Sequence, residues 1–451
     1  MLRFRNKLSS CSAAIIRDLH RLRADRRGTV AIMAGLLMVP LVGSMAVGFE
    51  VSYWYMTKRA MQNAADAAVI AAATNGTSNY ATEAKAVAAQ YGFTDGSNNV
   101  TVTASNSASC PGGGSTCYSV TITDTVPLYL SQVVGFKGDT TLNSAAAKSL
   151  TSTAVATQGT VSVSLCLLAL ASSGTNPGIL GNGSPHADLT GCNVMSNTGA
   201  TCHGHNLNAT DGLAHGTDNN CGITEYSNVP TVSDPYSGLA SNIPTNTCAS
   251  YPQEPTSKKA PALPASNQLS GSYSWSDNVM MCGDVQLTGN VTINASGSGA
   301  VLVIENGQLD SNGYTFQTAA GSGLTVVFSG TAGSYTHAPT GGGTFDIAAP
   351  TSGTWSGVAM YQDPSLTSGV DVTYAGNSPT WDMTGLVYMP HASVTFKGAV
   401  NKSSNGQSCF VLVVDNITID GTGDILSRGS CGAAGLSMPA ASVPARGQLV
   451  L

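Results

Sequence analysis

The sequence predicts a mainly β protein with one long N-terminal helix: a small α+β segment followed by a large β domain wound as a parallel β-helix, with a β-sandwich as the alternative. Three observations carry this. Arg26 to Ala73 runs as apolar and then amphipathic helix without a terminating signal. From Val161 onward, apolar runs of four or five residues recur with Gly, Asn, Asp or Ser in nearly every gap. The 451 residues include 51 Gly and only 10% charged residues, which suits short strands joined by polar turns and a chain of two or three domains.

Residues 1–28 hold Arg3, Arg5, Lys7, Arg17, Arg21, Arg23, Arg26 and Arg27 against only Asp18 and Asp25. The positive-inside rule assigns this segment to the cytoplasm, where such a basic arm contacts anionic lipid. Val30 to Phe49 carries no charge, and its length covers roughly the 30 Å hydrocarbon core of a bilayer. Signal-peptide apolar regions are shorter, about 7–15 residues. Residues 29–51 are therefore expected to stay as an uncleaved transmembrane helix, with Pro40 a tolerated kink point. Glu50, just past the apolar run, reads as an interfacial stop or as a buried carboxylate pairing with another subunit.

Beyond the span the helix becomes amphipathic. Arg59, Gln62, Asn63 and Asp66 share one side; Tyr53, Ala60, Ala64, Ala67 and Ala71 share another. The small-residue stripe is expected to pack on a sheet or on a partner helix.

RRGTVAIMAGLLMVPLVG, followed by a YxxKRxMQNAADAAxxAAA run from Tyr55 to Ala73, resembles the N-terminal segment of TadE/TadG-like proteins of tight-adherence (Flp-type) pilus assembly, closest to TadG. Met61, Gln62, Asn63, Ala64, Ala65, Asp66, Ala67 and Ala68 carry the specific part, and the similarity covers about fifty residues. The resemblance implies a bacterial envelope protein with a pilin-like head outside the membrane. Pilin-like subunits cut by prepilin peptidase usually have Glu five residues after the cleavage glycine; counted from Gly28, that position is Met33. An anchored assembly component is thus favoured over a processed filament subunit.

Residues 52–155 are read as the helix continuation and the pilin-like α+β domain. Tyr80 to Gln90 predicts a second helix, Asn99 to Ala104 and Tyr118 to Thr123 strands, Pro127 to Val134 a short helix, and Thr140 to Leu150 a strand, with a small-polar boundary at Thr151 to Thr160. Residues 156–451 form the β-rich domain, its runs including Val161 to Leu170, Ala300 to Ile304, Leu324 to Phe328, Val358 to Tyr361 and Phe410 to Val414. A proline-rich excursion over 228–268 interrupts them and reads as a structural crossover.

Ten of the eleven cysteines follow the anchor, an even set that suits disulfides in an oxidising periplasm. Cys110 with Cys117 and Cys409 with Cys431 are expected pairs. The pairing of Cys166, Cys192, Cys202, Cys221, Cys248 and Cys282 stays open, with Cys248 and Cys282 candidates for tying down the excursion.

Reactive chemistry is thin. Cys202, His203 and His205, with His186 and His215 nearby, lack zinc-site spacing. Asp415, Asp420 and Asp424 lack a calcium loop. Asp363, Asp371 and Asp382 leave a polysaccharide lyase or hydrolase as an alternative, but the cations a lyase needs, Lys258, Lys259, Lys397, Lys402, Arg428 and Arg446, are scattered. No catalytic residue, metal or cofactor is expected. After Gly28 stand eleven basic against twenty-three acidic residues, a surface that repels nucleic acid.

The chain is accordingly expected to be a single-pass inner-membrane protein with a cytoplasmic N-terminus and a periplasmic β domain, a non-catalytic component of pilus assembly. Its expected partners are inner-membrane lipid, other pilus assembly proteins or pilin-like subunits, and carbohydrate. A surface-exposed adhesin or a filament or tip subunit is the other non-catalytic alternative.

Overall fold

The computed structural model describes residues 29–76, 78–111, 117–174, 176–183, 186–189, 191–257, 261–295, 299–375, 380–397, 409–421, 424–426, 431 and 435–450. The chain is mainly β, with one long helix at its N-terminal end and a large sheet of parallel strands. It divides into two units, Met1–Thr160 with Pro444–Leu451, and Val161–Val443. The sequence division had left the C-terminal residues with the β domain. The basic segment 1–28 lies outside the described residues.

In the first unit, helix α1 (Thr29–Asn75) is continuous through Pro40. Helix α2 (Tyr80–Gln90) stops at Gly92, whose φ of 92° is left-handed. There the Phe93 and Gly92 amides donate to the Ala88 and Ala89 carbonyls, satisfying acceptors the ended helix leaves open. Strands β1 (Val100–Ala108), β2 (Cys117–Pro127), β3 (Thr140–Leu142) and β4 (Ala145–Ala169) pair antiparallel, β1 with β2, β2 with β4 and β3 with β4.

One expectation changes here. Thr140 to Leu150 is not one strand but a hairpin, because Asn143 and Ser144 both take positive φ. The division between the units falls at Thr160, at the end of the Thr151 to Thr160 boundary, and this run is continuous strand within β4, where the Thr153 and Thr121 hydroxyls hydrogen-bond at 2.9 Å. The C-terminal run lies beside this strand, with the Val450 amide on the Val155 carbonyl at 3.0 Å.

The core of this unit packs α1 and α2 on the sheet. Met61, Ala65, Ala68, Val69 and Ala72 meet Val102, Val120, Ile122 and Ala154. The buried stripe is rotated from the predicted one, and Ala60 is exposed. An alanine template missed that Met61 and Val69 supply the bulk that fills the space above the sheet.

The strands that stack in the second unit pair in parallel, unlike the antiparallel ladders of a β-sandwich. Each run lies in register on the run one turn earlier: Asn278–Cys282 on Ala300–Glu305, then Leu324–Ser329, Val358–Gln362, residues 386–388 and Phe410–Gly421. Residues 412–414 then pair with 167–169 of β4, and 417–421 with β5 (Ile179–Gly183). The stack continues through Asn193–Ser196, Asp211–Ala214 and Thr224–Ser227. The chain therefore enters the stack in its middle, climbs to one end at Ser227, and re-enters at the other end at Gln268.

The proline-rich excursion makes that return. Val232 exchanges two hydrogen bonds with the Asn197 amide side chain (2.8 and 2.9 Å). Tyr388 Oη then donates to Asp234 Oδ2 (2.6 Å), Tyr361 Oη to the Tyr236 carbonyl (3.0 Å), and Asn246 Nδ2 to Glu305 Oε1 (2.7 Å). Cys248 bonds Cys282 near the far end. Val232, Tyr236, Leu239 and Ile243 cover an apolar face.

This explains the continuous apolar runs. In Ala300–Glu305, Leu302 and Ile304 point into the stack while Val301 and Val303 point under the crossover, so both faces are buried. Thr344–Ala348, with Phe345 and Ile347 buried between half-buried neighbours, shows the alternation of a strand with one wet face. Corners are tight: a Cβ on Gly307 would collide with the Gly283 carbonyl of the neighbouring turn of chain.

Candidate functional site

The stretch of α1 with the greatest functional content is its apolar half and the loop beside it. One helix among the described residues, Val30–Asn75, is long and apolar enough to cross a membrane. Val30, Ile32, Met33, Leu36, Leu37, Val39, Leu41, Met45 and Phe49 are exposed. Water does not tolerate such a cylinder of apolar side chains, so this half of the helix calls for a lipid or protein environment.

Glu50 is 1% exposed, so it is not an open stop, and it has no ion-pair partner among the described residues. Its carboxylate accepts three successive backbone N–H groups: Oε1 takes those of Tyr129 and Leu130 (3.0 Å for Leu130), and Oε2 that of Ser131 at 2.7 Å. These amides open the 3-10 turn Ser131–Val134, which would otherwise begin with unsatisfied donors. Val134 Cγ1 lies 3.2 Å from where a Cβ would stand on Gly43, and the Phe136 ring sits 5.7 Å from that of Trp54. The loop thus lies along α1 from Gly43 to Trp54.

In the family-motif run, Gln62 Nε2 donates to Asp66 Oδ1 (2.8 Å) and approaches the Thr153 carbonyl (3.3 Å). This helical i, i+4 pair ties the polar side of α1 to the sheet. Ala64, Ala65 and Ala68 are buried against the unit's own sheet, Ala67 is half-buried, and Asn63 faces outward with Arg59 and Ala60. The small-residue face is therefore occupied within the chain.

All ten cysteines beyond the anchor are paired: Cys110–Cys117, Cys166–Cys192, Cys202–Cys221, Cys248–Cys282 and Cys409–Cys431. Cys202 is thus no metal ligand. His205 Nδ1 accepts the Leu207 amide, and His215 Nδ1 lies 2.9 Å from the Val229 carbonyl, so both serve turns. The His186, Asp371 and Asp424 side chains lie outside what is described, as do Lys258, Lys259, Lys402 and Arg428.

Of the carboxylates named for a hydrolase, Asp363 and Asp382 lie on different ladders. Asp382 pairs in register with Asp346 on one ladder, whereas Asp363 follows the end of Val358–Gln362 on the other and caps a turn through the Ser365 amide (2.9 Å). Lys397, one of the scattered cations, lies 4.0 Å from Asp420.

Sequence reasoning missed another acidic group. Burial, and then the charges of Asp310 and Asp284, push the Glu254 carboxyl up to about 7, while Asp284 itself accepts the Glu254 and Gln308 amides. Burial likewise lifts Asp218 to about 6. Only a fold that lays the crossover over the stack creates the first cluster, so nothing local in the sequence marks it.

No curated protein and no solved structure matches the chain. Residues 28–75, which include the whole of α1, match the family model for Flp pilus-assembly TadE/G-like proteins, so this segment is similar to that family.

Proposed function

We propose that this protein is a non-catalytic, membrane-anchored component of tight-adherence pilus assembly, closest to TadG. Its N-terminus is cytoplasmic, and the second unit is a periplasmic parallel β-helix. The observation that carries the reading is one helix with two halves: an exposed apolar half, and a half bearing the Gln62 to Ala68 motif and packed on a head. The separation of Asp363 from Asp382 and the disulfide-bound Cys202 support a binding and scaffolding role over catalysis. The partners are inner-membrane lipid, other pilus assembly proteins and, on the polar flank of the β-helix, carbohydrate.

The test is the N-terminal mass of the protein from purified inner membranes and from sheared filaments. An unprocessed N-terminus confined to membranes is expected. A new N-terminus at Thr29 in the sheared fraction would make the protein a filament or tip subunit instead. Protease cutting of the β unit on intact cells would favour the adhesin.

A further inference from the structure

We infer that the loop Tyr129–Phe136 is a second membrane-contacting element, inserted into the outer part of the same bilayer as α1 and held there by Glu50; this rests on α1 being a membrane span. The first support is depth. Six residues separate Gly43 from Phe49, about 9 Å at 1.5 Å per residue, so Val134, which lies against Gly43, stands well inside the apolar end of the helix.

The second support is the loop's own surface. Tyr129 (66% exposed), Leu130, Val134 (52%) and Phe136 place four exposed large hydrophobic side chains within eight residues. They continue the apolar surface of α1 without a break, and exposed Lys137 follows, a cation suited to lipid phosphate.

The third support is the treatment of the backbone. Hydrocarbon offers no water to free N–H groups, so an irregular turn at that depth needs an acceptor from the protein itself. Glu50 supplies both oxygens to three consecutive amides and is itself shielded by the turn that it caps. A carboxylate beside an apolar span is costly unless satisfied, and here the loop satisfies it. Anchored at two places, the head would keep a set tilt and rotation against the membrane.

The experiment uses the full-length wild-type protein in dilute phosphatidylethanolamine–phosphatidylglycerol vesicles containing a phosphatidylcholine with a diazirine in its acyl chain. After photolysis, carbene adducts are mapped by mass spectrometry. Adducts on both 30–49 and 129–136, and none on 97–104, are expected. Adducts on 30–49 alone would overturn the inference and leave the anchor standing. Adducts on neither segment would overturn both.

Discussion

Replacing Glu50 by Ala removes the carboxylate that accepts the Tyr129, Leu130 and Ser131 amides without touching the sheet or the β unit. A hydrogen bond to a charged group contributes about 1.5–3 kcal/mol. Three would sum to more than 4 kcal/mol, but the Tyr129 and Leu130 bonds share Oε1 and are not independent, so about 3 kcal/mol is the working estimate. Since about 1.4 kcal/mol is a factor of ten, local opening of residues 129–136 should become about 100-fold more frequent. Amide exchange followed by mass spectrometry on the full chain in vesicles reads this directly, with the peptide 300–305 as the unchanged control. Glu50→Gln keeps one carbonyl oxygen able to accept from Tyr129 and Leu130, so an intermediate rise of about tenfold is expected. Loop exchange within a factor of about three of wild type in Glu50→Ala would refute the assignment of the carboxylate as the turn's cap.

The Cys248→Ser, Cys282→Ser double variant releases a loop of sequence separation 34. The chain-entropy relation gives a loss of about 3.8 kcal/mol, to be seen as a lower guanidinium midpoint, and an unchanged midpoint would mean that the crossover is held by its other contacts alone. Ala68→Leu puts bulk into the buried stripe and should lower stability by about 1–3 kcal/mol, whereas Ala60→Leu on the exposed side should leave the midpoint near wild type. Glu254 binds its proton more tightly folded, at about 7, than unfolded, near 4.5. Its contribution therefore favours the fold below pH 4.5 and is lost as pH rises to 7, so urea midpoints should be higher at pH 5.5 than at 7.5, and Glu254→Gln should flatten that slope.

The apolar runs and the Ala-rich helix were legible because burial leaves its mark residue by residue. Tyr80 to Gln90 matches α2, and the runs starting at Ala300, Leu324 and Phe410 match strands of the stack. The strands Ile179–Gly183, Ala200–Cys202, Asp211–Ala214 and Thr224–Ser227 were not legible: they are three to five residues long and mostly polar or glycine-bearing, too short to show a period of their own. The partnership of Glu50 with residues 129–131 was equally silent, since backbone N–H groups have no sequence signature and the partners lie about eighty positions away. The rotated stripe on α1 shows the converse limit, that spacing identifies a face only when every apolar residue is weighed.

The middle entry of the chain into the stack bears on how the protein is made. Residues 165–183 are synthesised early, yet the surface on which they rest is Phe410–Gly421, among the last to be made. Until then both flanks of the seam present bare strand edges, which are templates for mispairing. Closure must follow synthesis of nearly the whole polypeptide, and a chain cut short before Phe410 would lack the piece that joins the two halves. The joint thus acts as a completeness check: only a full-length molecule buries its edges, and a shortened one remains recognisable to proteases.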